Sequence, residues 1–255
     1  MITVADAILH ALDRRQPMAP VTDSDPGFDL ARAYAAQAEL TAARQRRGGR
    51  VVGVKTGFTN RTIWDEYDVH QPIHGPVFDT TWRQGPLPVA DFLEPRIEPE
   101  IVLRLGASPR PGMGLDRLKA CVEAVARGFE IVQSPFPGWR FRAPDTVAAG
   151  ALHGALVTGE FIPATPGLLD ALAHLSVTLI RDGEAMDRGL SENVLGGGPL
   201  AALADLVAQR GESHLPAGWI ISTGTLTRAL PIAPGETWTT AIEGADLPPL
   251  TLSFT

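Results

Sequence analysis

The sequence predicts an α+β fold on three observations. Its first 50 residues carry two helical patterns, and from Val51 onward short apolar runs of strand length are broken by Gly and Pro. Few helical patterns separate those runs, which favours a mixed or antiparallel sheet system over a doubly wound one. At 255 residues the chain is one large domain or two small ones. We divide it into a helical cap, residues 1–50, and a strand-rich body, residues 51–255.

In the cap, Val4 to Leu12 and Leu30 to Leu40 are rich in Ala and Leu and free of internal Gly or Pro. Leu30, Ala33, Tyr34 and Leu40 share one face of the second segment, opposite Arg32 and Glu39, with Gln37 the one polar intruder. Asp23 to Gly27 supplies the turn between the helices, and Gly48-Gly49 ends the second. In the body, VVGVKTG, RIEPEIVLRLG, GFEIVQS, GALVTGEFI, LSVTLI, GWIISTGTL and LTLSFT read as strands. Two helical patterns interrupt them. One places Leu115, Leu118, Val122 and Val125 on a face, with Cys121 at its margin as a small buried hydrophobe; the other opens at Pro199 and carries Leu203, Leu206 and Val207. Gly196 to Gly198 precede it without a following Lys-Ser or Lys-Thr, so they form a turn and not a phosphate loop.

Composition excludes several partners. Lys plus Arg number 22 against 29 Asp plus Glu, a net charge of −7 that disfavours nucleic-acid backbones and anionic membrane surfaces. The longest stretches without a charged residue, Ser213 to Thr227 and Thr146 to Gly159, fall short of the ~20 residues that cross a bilayer. Asp6 and Asp13 interrupt the place of an export signal, and the single Cys121 fits a reducing compartment, so a cytoplasmic location is expected.

Chemistry concentrates in Arg96-Ile97-Glu98-Pro99-Glu100-Ile101. On a strand, residues two apart share a face, so Glu98 and Glu100 stand side by side while Ile97, Ile101 and Leu103 enter the core. Adjacent carboxylates repel, and a hard divalent cation offsets that; a solvated strand edge, consistent with Pro99, is the other reading. Glu130 lies in the apolar run Gly128 to Val132, where a charge needs a partner, either a cation or Arg127 or Arg140. Three carboxylates suit Mg²⁺ or Mn²⁺, not the N/S ligands of structural zinc. Lys55 ends an apolar strand at a Gly turn, a place for a proton-exchanging lysine or for a snorkelling surface one.

Seven blocks then occur in order: Val52-Gly53-x-Lys55-x-Gly57, Gly75 to Asp79, Pro95-Arg96-Ile97-Glu98-x-Glu100-Ile101, Phe129-Glu130-Ile131-Val132-x-Ser134, Asp145 to Ala148, Gly198-Pro199-Leu200 and Ser222 to Leu226. Together they resemble the 2-keto-4-pentenoate hydratase and 4-oxalocrotonate decarboxylase group of the fumarylacetoacetate hydrolase superfamily. The resemblance implies a mixed β roll like that superfamily's catalytic domain and Mg²⁺ or Mn²⁺ at Glu98, Glu100 and Glu130. It also implies acid/base work by Lys55 on a small 2-oxo or 2-hydroxy dienoic acid, and a homo-oligomer. The implied reaction is hydration of a 2-hydroxy-2,4-dienoate, with 4-oxalocrotonate-type decarboxylation, acylpyruvate carbon–carbon hydrolysis or a catalytically silent binder as alternatives.

The match has gaps. Where the group carries a polar Asp-Asn-Ala-Ser stretch, this chain reads Ala149-Gly150-Ala151-Leu152, with His153 next as a candidate replacement. Asp79 is a further catalytic candidate, followed by Thr80 in place of a frequent second Asp. Arg61 or Arg140 is expected to meet a second substrate carboxylate, and Ser134 and Thr223 to hydrogen-bond substrate. Asn60 to His70, with Trp64 and Tyr67, reads as a lid or as packing on the cap. His70 and His74 are separated by Pro72, which argues against a helical metal pair.

Overall fold

The computed structural model describes residues 2–67, 69–211 and 213–255. Among them the helices are α1 (Val4–Arg14), α2 (Val21–Ser24), α3 (Leu30–Arg46), α4 (Trp64–Tyr67), α5 (Leu115–Lys119), α6 (Ala143–Ala148), α7 (Pro166–Ala171) and α8 (Pro199–Arg210). The strands are β1 (Val51–Gly57), β2 (Ile73–Phe78), β3 (Trp82–Arg83), β4 (Arg96–Leu105), β5 (Val122–Val132), β6 (His153–Thr158) and β7 (Ile162–Pro163). They continue with β8 (Ser176–Arg181), β9 (Glu184–Leu190), β10 (Ile220–Ser222), β11 (Leu230–Pro231), β12 (Thr237–Glu243) and β13 (Thr251–Ser253). No helix among the described residues is long and apolar enough to cross a membrane.

The strands form two sheets. The larger runs β2-β1-β10-β4-β5-β6-β3, with β11 added beside β4 and β7 beside β5; β1–β10 and β3–β6 are parallel and the other pairings antiparallel. The smaller is the antiparallel β13-β12-β8-β9. Trp238, Leu179 and Leu252 of the small sheet pack on Ile97, Phe129 and Ile131 of the large one. On the other flank α8 supplies Leu203, Leu206 and Val207 to a core with Ile101 and Leu103. The α+β class and the mixed sheet expected from sequence are what the chain forms.

One segment departs from expectation. Val122 and Val125 lie on β5, not on a helix, because α5 stops at Lys119 and ten of the eleven β5 residues pair with β4. Val122 and Val125 are β-branched, and tertiary pairing outweighs the helical period they satisfy. Glu123 stays outside and pairs with Arg104 at 2.7 Å. Cys121 falls just beyond α5, buried, its thiol donating to the Arg117 carbonyl.

The N-terminal helices share a core with α6: Ile8, Leu9, Ala33, Ala36 and Leu40 pack with Val147 and Ala148. Gln37, the polar intruder, donates its amide to the carbonyls of His74 and Val147, both at 2.9 Å. Asp145 is fully buried and accepts from Thr22 N, Thr22 Oγ1 and Arg142 N at 3.1, 2.6 and 2.9 Å. It caps α6 and ties the N-terminal segment to it. Asp145→Ala strands two buried donors of Thr22 and the partly buried N–H of Arg142, so a loss of about 3 kcal/mol is expected in chemical denaturation.

Candidate active site

The register of the large sheet assembles the site. Glu98 on β4 stands directly opposite Glu130 on β5, and Glu100 follows two residues along the same face. On the far side of β4, Val102 pairs with Ser222 of β10, which pairs with Lys55 of β1, so Lys55 and Ser222 share the carboxylate face. One ligand oxygen from each of Glu98, Glu100 and Glu130 lies within 4.8 Å of the others. Lys55 Nζ is 3.3 Å from Glu130 Oε2.

Pro99 does not mark a solvated edge. β10 pairs with β4 from Val102 onward and β11 joins at Ile97, and Pro99 occupies the interval between them, where a missing ladder donor does least harm. Glu100 is 3% exposed and Glu130 fully buried. Glu100 Oε2 accepts from Ser222 Oγ and, at 2.9 Å, from the N–H of Gly224. Gly224 adopts φ +91° there, and a Cβ would collide with Thr59.

Burial, reinforced by neighbouring carboxylates, pushes the Glu98 carboxyl up to about 8 and Glu100 well above its ordinary value. Burial raises Glu130 too, against the pull of Lys55. Burial also opposes the charge on Lys55, but Glu130, Glu98 and Glu100 outweigh it and raise the ammonium pKa. Burial, then the charges of Lys55 and Arg44, hold His153 well below the usual histidine range, so its ring is neutral.

The donor set fits a hard divalent cation such as Mg²⁺ or Mn²⁺. Glu100 Oε1 and Glu130 Oε2 are both buried without a hydrogen-bond partner, Oε2 having the Lys55 ammonium at 3.3 Å, so acceptor capacity is left over where a cation would use it. Glu98 is half-buried and, with Lys55, lines a cavity of about 240 Å³ that supplies the open side.

That cavity also takes in residues not anticipated from sequence: Arg96, Trp139, Phe141, Thr225 and Arg228. The Arg96 guanidinium lies 4.1 Å from the centre of the Trp139 ring. A signal for Arg96 was present, since it precedes Glu98 by two and so shares its face. Arg228 follows the Thr223–Thr227 turn, and no local pattern points it inward. Leu152 lines the cavity, as does Ile63 from the expected lid. Trp64 donates its indole N–H to the Phe58 carbonyl, whereas the side chain of Tyr67 and residue Asp68 lie outside the described residues.

The other anticipated residues lie outside the cavity lining. Asp79 sits at the turn after β2 and spends its carboxylate on Arg50, accepting from its backbone N and Nε at 2.9 Å each. Ser134 is buried in a local turn, donating to the Phe136 carbonyl and accepting from Phe136 N. Thr223 Oγ1 donates to the Ile101 carbonyl at 2.8 Å. Arg61 is exposed and stacks on Trp64, and Arg140 is exposed as well. His153 touches the site from behind, with Nδ1 2.8 Å from Glu130 Oε1.

A 2-hydroxyhexa-2,4-dienoate hydratase from Comamonas testosteroni is 32% identical over 249 residues, 95% of this chain and 93% of its own. The chain belongs to the 2-keto-4-pentenoate hydratase and 4-oxalocrotonate decarboxylase family. No family model matches it. A solved family member, the 4-oxalocrotonate decarboxylase of Pseudomonas putida G7 complexed with magnesium and adipate, superposes with a TM-score of 0.89 at 31% identity. The overlap covers 99% of this chain and 96% of that one. A protein from Yersinia pestis CO92 assigned to the fumarylacetoacetate hydrolase family shares the fold, with a TM-score of 0.59 at 17% identity over 81% of this chain and 94% of that one.

Proposed function

We propose that this family member is a cation-dependent lyase that hydrates a 2-hydroxy-2,4-dienoate to a 4-hydroxy-2-oxo acid. The observation that carries the reading is the meeting of Glu98, Glu100, Glu130 and Lys55, two of which, Glu98 and Lys55, line one cavity. Glu98, Glu100 and Glu130 would hold Mg²⁺ or Mn²⁺. When bound, the cation supplies a Lewis acid that stabilises negative charge on the oxygen beside the substrate carboxylate. Lys55 Nζ holds a proton next to the carbon skeleton, ready to give it to carbon and take it back as the dienol becomes a ketone and water adds to the alkene. Phe58, Ile63, Ile73, Val132, Phe141 and Leu152 exclude bulk water from that exchange.

Two guanidiniums in the lining, Arg96 and Arg228, favour one alternative: a diacid substrate, and with it 4-oxalocrotonate-type decarboxylation. Residues 1–50 act in this reading as a cap on a catalytic body of residues 51–255, in a cytoplasmic homo-oligomer. The test follows loss of dienoate absorbance and identifies products by mass, with Mg²⁺, with Mn²⁺ and with EDTA. Hydration adds water, decarboxylation releases CO₂, and acylpyruvate hydrolysis yields two acids. Cation-dependent binding without any product marks a silent binder and overturns the proposal, as does activity indifferent to both EDTA and Glu98→Gln. The expected loss for Glu98→Gln is at least about 100-fold.

A further inference from the structure

Glu130 is held by a histidine that a regular sheet would turn away from it. In the antiparallel β5–β6 pair, Glu130 stands opposite Leu156 and Ile131 opposite Ala155. Continued regularly, Val132 would meet Gly154 and Gln133 would meet His153, placing the imidazole on the face opposite Glu130. The register instead slips between Ile131 and Val132, and His153 pairs with Val132. Gly154 is the extra residue of this bulge. A Cβ on it would lie 2.7 Å from the Ile131 carbonyl oxygen and 3.1 Å from the Phe92 ring, so the slip needs glycine. The slip carries His153 onto the carboxylate face, with Nδ1 2.8 Å from Glu130 Oε1 and Nε2 2.8 Å from Thr81 Oγ1.

Those contacts have a direction. An ionised Glu130 only accepts, so Nδ1 carries the proton and Nε2 of the neutral ring takes the single Thr81 hydroxyl proton at 2.8 Å, in competition with the Phe78 carbonyl 3.1 Å from the same Oγ1. Thr81 is placed in turn by the Phe78 N–H, which donates to its Oγ1 at 3.1 Å. With both ring nitrogens engaged, and His153 4% exposed and outside the lining of the substrate cavity, the imidazole has nothing to offer substrate.

We infer that His153 is a positioning residue for the cation: its Nδ1–H fixes Glu130 Oε1 and leaves Oε2 for the ion. This rests on the proposed cation site, and the experiment separates the two. Mg²⁺ and Mn²⁺ are titrated calorimetrically into the wild-type chain, His153→Ala and His153→Asn, each checked for folding by circular dichroism. Asparagine sets an amide nitrogen where Nδ1 stood. Alanine is expected to weaken cation affinity about 10- to 100-fold, and asparagine to recover most of it. At saturating cation, kcat of His153→Ala is expected to return close to wild type. Unchanged affinity in folded His153→Ala, asparagine no better than alanine, or kcat still lost at saturating cation each overturns the inference. If His153→Ala does not fold, Thr81→Val removes the support of Nε2 instead. A several-fold weaker affinity is then expected, and an unchanged one overturns the inference. A wild-type chain that binds neither ion overturns the site reading itself.

Discussion

Lys55→Met is expected to lower kcat by about 10³-fold at saturating Mg²⁺, within the range that positioned acid–base groups contribute. The side chain is 3% exposed and its ammonium lies 3.3 Å from Glu130 Oε2, so methionine keeps the length and the apolar stem and deletes the charge and the proton. Two losses are mixed in that substitution, and Lys55→Arg separates them. Arginine keeps a positive charge among the carboxylates but does not give up its proton at any accessible pH. Lys55→Arg is therefore expected to bind the cation and melt near wild type while remaining as inactive as Lys55→Met. Lys55→Met in EDTA is expected to melt lower than wild type, by a margin that widens with pH as its carboxylates lose protons with no ammonium beside them. Near wild-type turnover by either variant would remove Lys55 from the chemistry.

The site was legible in sequence to the extent that it obeys the two-residue period of a strand. Glu98 and Glu100 share a face for that reason, and Arg96 belongs to the same series although its side chain was not followed outward. Glu130 needed one more fact, the pairing partner of β4, which local pattern does not contain; a charge inside an apolar run signalled only that some partner was required. Val122 and Val125 illustrate the reverse failure, since Leu115, Leu118, Val122 and Val125 satisfy a helical period that pairing along β4 overrides. His153 was hidden more deeply. Its face depends on a bulge at Gly154, and a one-residue slip inverts every inference from alternation. Asp79, Ser134 and Thr223 lie outside the cavity lining for a common reason: each polar group is spent on a neighbour, Arg50, Phe136 or the Ile101 carbonyl, and no residue type announces that in advance. The fold came through more readily, because Gly and Pro punctuate the strands where they end. Of the strands not foreseen, β3 and β11 are two residues long and β9 is mostly exposed, whereas β2 and β12 are six and seven residues long, β2 with Gly and Pro inside it and β12 without a clean apolar alternation.

Removing the cation is expected to lower Tm, and by more at pH 8 than at pH 5.5. Burial first, then neighbouring carboxylates, lift Glu98 from an ordinary 4.5 to about 8 and raise Glu100 well above that ordinary value. A carboxyl whose pKa is higher folded than unfolded binds a proton more tightly in the native state. Its contribution is therefore present below about 4.5 and is lost as pH climbs through 8. Lys55, raised above an already high value, stays charged across this window and adds no slope. Without the ion, then, stability falls between pH 5.5 and 8; with it, a divalent charge takes the place of the protons. At a free concentration of 100 times Kd the ion contributes about 2.7 kcal/mol, roughly 5–10 °C for a chain of this size. Glu98→Gln is the decisive variant because its two effects have opposite signs. It removes a half-buried carboxyl that is ionising beside Glu100 and Glu130 at that pH, so in EDTA at pH 8 it is expected to melt higher than wild type, while gaining little from added Mg²⁺. Differential scanning fluorimetry across pH, with and without the ion, reads both. A wild-type Tm flat with pH in EDTA and unmoved by Mg²⁺ or Mn²⁺ would mean that these carboxylates are balanced by something other than a cation.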